Sequence, residues 1–330
     1  AKRRLKFEEL FFLQLSILQY HQARRTNQIG WQFSRVGNYF NTFYKEHIPF
    51  ALTEAQKRVI KEVHSDLRSG QQMNRLLQGD VGSGKTMVAT LICLLALDNG
   101  FQAAIMAPTE ILAEQHYKGI AEQLAPLGIR VELLTGNVKG KRRKEIVNEV
   151  ATGGIQLLIS THALIEPTVI FHNLGLCVVD EQHRFGVKQR AALWEKNKRP
   201  PHILVMTATP IPRTLAMTVY GDLDVSVIDQ LPPGRKPIQT QHYRSGQRKQ
   251  LFSGIVRELQ KGRQIYFVYP LIDENEKLDL LALEQGYEAV TEAFHPWKVG
   301  RVHGRMKPAD KEKVMRSFAN NETQILVATT

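Results

Sequence analysis

Cysteine is nearly absent: Cys93 and Cys177 are the only two in 330 residues. Both lie inside apolar runs, LICLLAL and LGLCVVD, which marks them as buried, reduced thiols and argues against a disulfide framework or a metal pair. No Cys/His cluster has metal-ligand spacing. No run of 18 or more apolar residues occurs, so a membrane-spanning helix is not expected. The basic start, Ala-Lys-Arg-Arg-Leu-Lys, is not followed by the apolar core and cleavage site of a secretion signal, and a cytoplasmic location is the expectation. Acidic residues are outnumbered: 32 Asp+Glu face 44 Lys+Arg, a net charge of +12. Such a balance suits a polyanionic partner, although charge alone is weak evidence.

At 330 residues the chain has room for two domains, each with its own core. Residues 5–23 read as an amphipathic helix, with Leu5, Leu10, Phe12, Leu13, Ile17 and Tyr20 at three- and four-residue spacing. Residues 24–48 have no clear period and read as a connector, which makes 1–48 a helical connector and linker. From Pro49 onward short apolar runs alternate with longer helical patterns. The runs MNRLLQ, QAAIMA, RVELLT, IQLLIS, LGLCVV and HILVMT are expected strands, and 86–98, 109–124, 139–150 and 186–196 expected helices. This alternation, with strands apolar on both faces, implies an α/β fold with a parallel sheet covered by helices. Three prolines and a glycine in 230–237 mark a hinge, which separates a first domain over 49–229 from a second over 230–330. Alternation resumes there: helix 247–260, strand 264–269, helix 277–293, strand 298–303, helix 307–318, strand 324–328. The second domain is expected to be incomplete, since the chain stops directly after a strand.

Residues 79–86 read Gly79-Asp80-Val81-Gly82-Ser83-Gly84-Lys85-Thr86, the pattern of glycine, four residues, then Gly-Lys-Ser/Thr. The stretch follows an apolar strand and opens a helix, as a phosphate-binding loop requires. Gly82 and Gly84 let backbone N–H groups converge on phosphate oxygens, and the helix N-terminus adds a favourable dipole. Lys85 is expected to reach the β- and γ-phosphates, and the Thr86 hydroxyl to ligate Mg²⁺.

The strand Leu176–Val179 delivers Asp180 and Glu181 to the carboxyl edge of the sheet, where α/β proteins place ligands. Asp180 is expected to hold Mg²⁺ through its water shell, and Glu181 to orient and deprotonate the attacking water. Gln182 and His183 complete a four-residue box. His183 alone would more often be a structural histidine; in this box it is read as a link from the γ-phosphate to the nearby Thr-Ala-Thr segment.

Asp-Glu-Gln-His followed by Arg-Phe-Gly, with Met-Thr-Ala-Thr-Pro-Ile-Pro-Arg-Thr-Leu-Ala at 206–216, resembles superfamily 2 helicases. Within them the likeness is to the RecG family of bacterial ATP-dependent DNA helicases, which remodel branched DNA. ALTEAQ (51–56), APTEILAEQH (107–116), DEQHRFGVKQR (180–190), DLDVSVIDQLPPGR (222–235) and VHGRM (302–306) carry it, over nearly everything from residue 50. The resemblance implies two RecA-like P-loop NTPase lobes, ATP and Mg²⁺ as cofactors, and forked or Holliday-junction DNA as partner, in repair and recombination, without a membrane and as a monomer.

It further implies roles residue by residue. Gln56 would read the adenine edge and Phe50 stack on the base. Pro108, Thr109 and Glu110 would face the DNA backbone, with Thr135, Gly136, Thr161 and His162 in similar loops. Thr207 and Thr209 would couple hydrolysis to domain movement. Tyr269, Pro270, His303, Gly304 and Thr329 fall where the family contacts nucleic acid or the cleft. Contacts of this kind position a motor without reading sequence. Plainer readings stand beside several of these. Thr109 can be a helix N-cap, Thr135-Gly136 an ordinary turn, and the basic run Lys139, Lys141, Arg142, Arg143, Lys144 a solvated helix face.

Two features of the family lie outside the chain: the N-terminal wedge domain and the later motifs with the arginine finger. An arginine finger contributes about 10³–10⁵ in rate, so the 330-residue piece is expected to bind nucleotide and hydrolyse it poorly. The rival functions are the translocase module of a transcription-repair coupling factor, a superfamily 2 RNA helicase, and a non-catalytic scaffold. Gln182 and Ser83 argue against the first, the Gln-His ending and Thr-Ala-Thr against the second, and intact Lys85, Thr86, Asp180 and Glu181 against the third.

Overall fold

A computed structural model describes most of residues 29–330 and part of 4–19. Residues 20–28, 182–192, 194–195, 210–222, 231–237, 270–275, 305 and 330 fall outside the described set, as do 1–3, 5, 6, 10, 13, 17 and 18. Two compact units result, Ala1–Lys236 and Pro237–Thr330.

The first unit is built on a seven-stranded sheet, β1 (Asn74–Gly79), β2 (Gln102–Met106), β3 (Val131–Leu134), β4 (Leu157–Ser160), β5 (Leu174–Asp180), β6 (His202–Thr207) and β7 (Asp224–Ile228). The order is β3-β4-β2-β5-β6-β1-β7, and every pairing is parallel. Successive residues of each strand serve opposite faces. Leu77, Ile105, Val178 and Met206 join one core layer; Leu76, Met106, Val179 and Val205 join the other. Cys93 and Cys177 are buried and free, and burial pushes both thiols up, Cys177 to about 12.

The helices are α1 (Asn38–Thr42), α2 (Glu54–Arg68), α3 (Lys85–Asp98), α4 (Glu110–Leu124) and α5 (Gly140–Thr152). The list of expected elements lacks the short α1, α2 and β7. α2 carries Ala55, Val59, Ile60, Val63 and Leu67 on a buried stripe and starts at a capping box formed by Thr53 and Gln56. β7 escapes a search for continuous apolar runs because Asp224 and Ser226 interrupt it, although Val225, Val227 and Ile228 are β-favouring. α3 is buried over every residue from Met87 to Leu97, as expected of a helix apolar all round.

From residue 29 the stretch read as a connector packs against this unit. Phe33 and Phe43 are fully buried. Gly30 and Phe33 donate backbone N–H groups to the carbonyls of Gly70 and Leu67. The Asp98 carboxylate, at the end of α3, accepts N–H bonds from Gly37, Tyr39 and Phe40, each 3.0 Å. Of the amphipathic helix read over 5–23, the described residues between Arg4 and Gln19 are helical. Phe12, placed on its apolar face, is 61% exposed.

His202 seals the same junction. Its Nδ1 accepts from Met73 N at 2.9 Å, and its Nε2 donates to the Trp31 carbonyl at 2.7 Å. The buried ring therefore holds a single proton, and burial lowers its pKa to about 4. The unfolded chain takes up that proton near pH 6.5 and the folded chain only near pH 4. Stability contributed here is complete above about pH 6.5 and falls as pH drops toward 4. Thermal unfolding of the chain is expected to shift down between pH 7.5 and pH 5, with a flatter profile in His202→Gln. Identical pH profiles for the two proteins would contradict the assignment.

The second unit has a parallel sheet of β8 (Ile265–Tyr269), β9 (Val299–Val302) and β10 (Ile325–Thr329), in the order β8-β10-β9. Its helices are α6 (Arg248–Gln260), α7 (Glu276–Ala293) and α8 (Pro308–Ala319), around a core of Leu259, Val290, Phe294, Ile325 and Val327. All six elements read from the sequence in this unit are present, with no end displaced by more than one residue.

Candidate nucleotide site and strand-end loops

The phosphate loop leaves β1, turns through Gly82 (φ 77°) and Gly84 (φ 85°), and enters α3 at Lys85. Both values lie in the left-handed region that a Cβ disfavours. The Lys85 ammonium donates to the carbonyls of Gly79 and Asp80, at 2.7 and 3.0 Å. Its pKa is lowered, chiefly by burial, while the carboxylates of Asp180, Glu181 and Asp80 pull it upward. Lys85 is thus within electrostatic reach of Asp180 at the end of β5 and of Glu181 just after it.

Gln56 is buried, and its carboxamide braces the loop. Nε2 donates to the Ser83 carbonyl at 2.8 Å, and Oε1 accepts from Thr53 N at 2.9 Å. Phe50 is 45% exposed. The Ser83 hydroxyl is buried without a partner among the described residues.

Asp180 closes β5, and its Oδ2 lies 2.9 Å from Nε2 of His116 on α4. Sequence reasoning missed His116. Its signal was a polar residue on the buried face of α4, three positions after Ala113 and four before Ile120. Glu181 has φ of 51°, a left-handed conformation rare outside glycine. Strain of this kind clusters at functional sites. Its N–H is tied to the Met206 carbonyl at 2.9 Å. Its carboxylate accepts from Ala208 N at 3.1 Å and, at a long 3.5 Å, from the Thr207 hydroxyl. Thr207 also accepts from Thr209 N at 3.1 Å. The acidic box and the Thr-Ala-Thr segment therefore touch through Glu181. The link assigned to His183 lies outside the described residues, as does Gln182.

A divalent metal with nucleotide fits these groups. Thr86 and Asp180 supply hard oxygen donors beside a cationic loop, the donor set Mg²⁺ prefers. Among the described residues no group of three or more His, Cys, Asp or Glu side chains could hold a metal alone. Magnesium usually keeps several waters and takes substrate phosphates as ligands, so that result is compatible with a nucleotide-borne ion.

A second set of loops gathers at the carboxyl ends of β2, β3 and β4. Glu110 accepts from Asn137 N at 3.2 Å and Asn137 Nδ2 at 2.5 Å, joining the β2 and β3 loops. The Ala107 N–H donates to the Ser160 carbonyl at 2.8 Å, which brings Pro108 and Thr109 beside Thr161 and His162. Thr109 is an N-cap, accepting from Leu112 N, and Thr135 to Val138 form a hydrogen-bonded turn. Arg142 pairs with Glu132 and Arg143 with Glu166, so those two guanidiniums have intramolecular partners. Lys139, Lys141 and Lys144 are exposed. In the second unit the Tyr269 ring lies against Gly286, the Gly304 carbonyl accepts from Lys311, and Nδ1 of His303 is buried without a partner among the described residues. Pro270 lies outside the described residues, and Thr329 ends β10.

The sequence model for DEAD/DEAH box helicases matches residues 53–218, half of the chain. The chain belongs to that helicase family. The model for the helicase conserved C-terminal domain matches residues 247–330 of this helicase. Relatives named ATP-dependent DNA helicase RecG include one from Synechocystis at 49% identity, covering 100% of this helicase and 40% of the relative. The RecG of Escherichia coli is 46% identical, with 100% and 48% covered. The chain thus spans somewhat under half the length of these relatives. Among solved structures, RecG bound to a three-way DNA junction matches at a TM-score of 0.83 and 39% identity, covering 100% of this chain and 43% of that one. Dbp5 of Saccharomyces cerevisiae bound to RNA matches at 0.60 and 14% identity, with 89% and 74% covered, a likeness of fold. Among the described residues no helix is long and apolar enough to cross a membrane.

Proposed function

We propose that the chain is the motor portion of an ATP-dependent DNA helicase that acts on forks and Holliday junctions in repair and recombination. The observation that carries this reading is likeness to RecG proteins along the whole chain, including one bound to a three-way DNA junction. ATP and Mg²⁺ serve as cofactors, and the protein works as a cytoplasmic monomer.

In this reading Lys85 and the backbone N–H groups of Gly82 to Thr86 hold the phosphates, and Thr86 and Asp180 hold Mg²⁺. When bound there, the ion would supply positive charge to offset that of the phosphates. Glu181 receives the proton of the attacking water while Thr207 and Ala208 keep its carboxylate in place. Release of the phosphate changes what Glu181 faces, and its bonds pass that change to the Thr207–Thr209 segment. Pro108, Thr109, Glu110, Thr135, Gly136, Thr161 and His162 form the face that tracks the DNA backbone. In the second unit, Tyr269, His303 and Gly304 are the residues read as contacting nucleic acid.

The test is unwinding by the full-length protein on a model fork, on linear duplex and on structured RNA. Preference for the fork is the expected result. Stimulation by RNA but not by the fork would sink the reading.

A further inference from the structure

The bond between His116 and Asp180 has no part in the scheme above. Nε2 of the imidazole lies 2.9 Å from Oδ2 of the carboxylate, and the side chains are only 11% and 12% exposed. An ionised carboxylate can only accept, so the ring nitrogen facing it carries a proton. Asp180 belongs to a strand end fixed by the sheet: Val179 and Asp180 are in register with Val205 and Met206 of β6. His116 belongs to another element. It stands on α4, which opens at the Thr109 cap, and Glu110 in its first turn is bonded to Asn137 in the β3 loop. One side chain therefore connects the helix that grows out of the strand-end loops with the carboxylate at the nucleotide site.

We propose that His116 is a positioning residue for Asp180, and that it couples the position of α4 to the metal-binding carboxylate; this rests on the functional reading above. A free Asp carboxylate rotates about a soft, twofold χ2 torsion. Here Oδ2 is engaged by the imidazole, which fixes the plane of the group and leaves Oδ1 for the water shell of the ion. Partners of this kind behind a metal ligand contribute about 10–100-fold to metal affinity. A shift of α4 when its first turn meets DNA moves His116 and reorients the carboxylate.

Three forms of the full-length protein decide it: wild type, His116→Leu and His116→Gln. Leu fills the buried space without a donor, and Gln places an amide N–H near the position of Nε2. ADP binding is titrated calorimetrically with Mn²⁺ and with EDTA, and thermal unfolding verifies folding. The expected result is a loss of about 10–100-fold in Mn²⁺-dependent affinity for His116→Leu, unchanged affinity in EDTA, and recovery of most of the loss in His116→Gln. The ratio of ATP turnover with and without forked DNA is expected to fall in His116→Leu and return in His116→Gln. Equal affinities in all three proteins would overturn the proposal. So would parallel losses in EDTA and Mn²⁺, or a His116→Gln protein as impaired as His116→Leu. A wild type whose ADP affinity gains nothing from Mn²⁺ would instead count against the functional reading.

Discussion

Glu181→Gln is expected to slow ATP turnover by about 10²–10⁴-fold while leaving nucleotide affinity close to wild type. The substitution is nearly isosteric. Its carbonyl oxygen can still accept the 3.1 Å bond from Ala208 N, and nothing about φ of 51° distinguishes Gln from Glu. What vanishes is the capacity to take a proton. The phosphate-holding groups, Lys85 and the loop N–H donors, belong to the start of α3 and the loop between β1 and α3 and are untouched. Binding and hydrolysis should therefore separate in one protein. The check pairs steady-state ATPase of the full-length protein on forked DNA with nucleotide titration of the same preparation. A turnover within a few-fold of wild type would remove Glu181 from the role of base.

Gly84→Ala is expected to abolish useful nucleotide binding with the fold intact. A Cβ at residue 84 would stand 2.2 Å from Nε2 of Gln56, at a φ of 85°. The left-handed backbone alone costs about 1–2 kcal/mol for a residue with Cβ. Gln56 cannot swing aside freely, because it is buried and both ends of its carboxamide are engaged, by Ser83 and Thr53. Breaking the Ser83 bond adds about 0.5–1.5 kcal/mol and releases the loop whose N–H groups must converge on the phosphates. Together these disfavour the competent loop by about 1.5–3.5 kcal/mol, roughly 10–400-fold in affinity before any lost phosphate contact is counted. Gln56→Ala in the Gly84→Ala background is informative: if the collision with Gln56 dominates, the double variant recovers part of the affinity. A single Gly84→Ala protein that binds ATP normally would refute the geometry.

Much of the candidate site was legible because it is local. The loop from Gly79 to Thr86 and the pair Asp180-Glu181 each occupy a few consecutive residues at a strand end, where spacing and apolar context announce them. The sheet was legible for the same reason, since parallel strands buried on both faces leave unbroken apolar runs. What escaped were features that exist only after folding. His116 and Asp180 are 64 positions apart, and nothing in either segment names the other. His202 carries no local sign that its partners are Trp31 and Met73. The stretch over 29–48 looked structureless because part of its order is borrowed: the N–H groups of Gly30, Phe33, Gly37, Tyr39 and Phe40 bond to Gly70, Leu67 and Asp98. Polar interruption hid β7, where Ser226 is a ligand of Arg75 rather than a solvent-facing break.

Asp98 sits where a helix C-terminus should repel it, for the macrodipole there is negative. Three backbone N–H bonds from Gly37, Tyr39 and Phe40 offset that cost, and Asn99 grips Arg35 from both sides. The other end of the same 14-residue helix is the phosphate loop. At 1.5 Å per residue the helix is about 20 Å long, closely packed on every side and stiff along its axis. It forms a stiff connection between the phosphate loop at Lys85 and the segment from Arg35 to Phe40, whose backbone is bonded to Asp98 and Asn99.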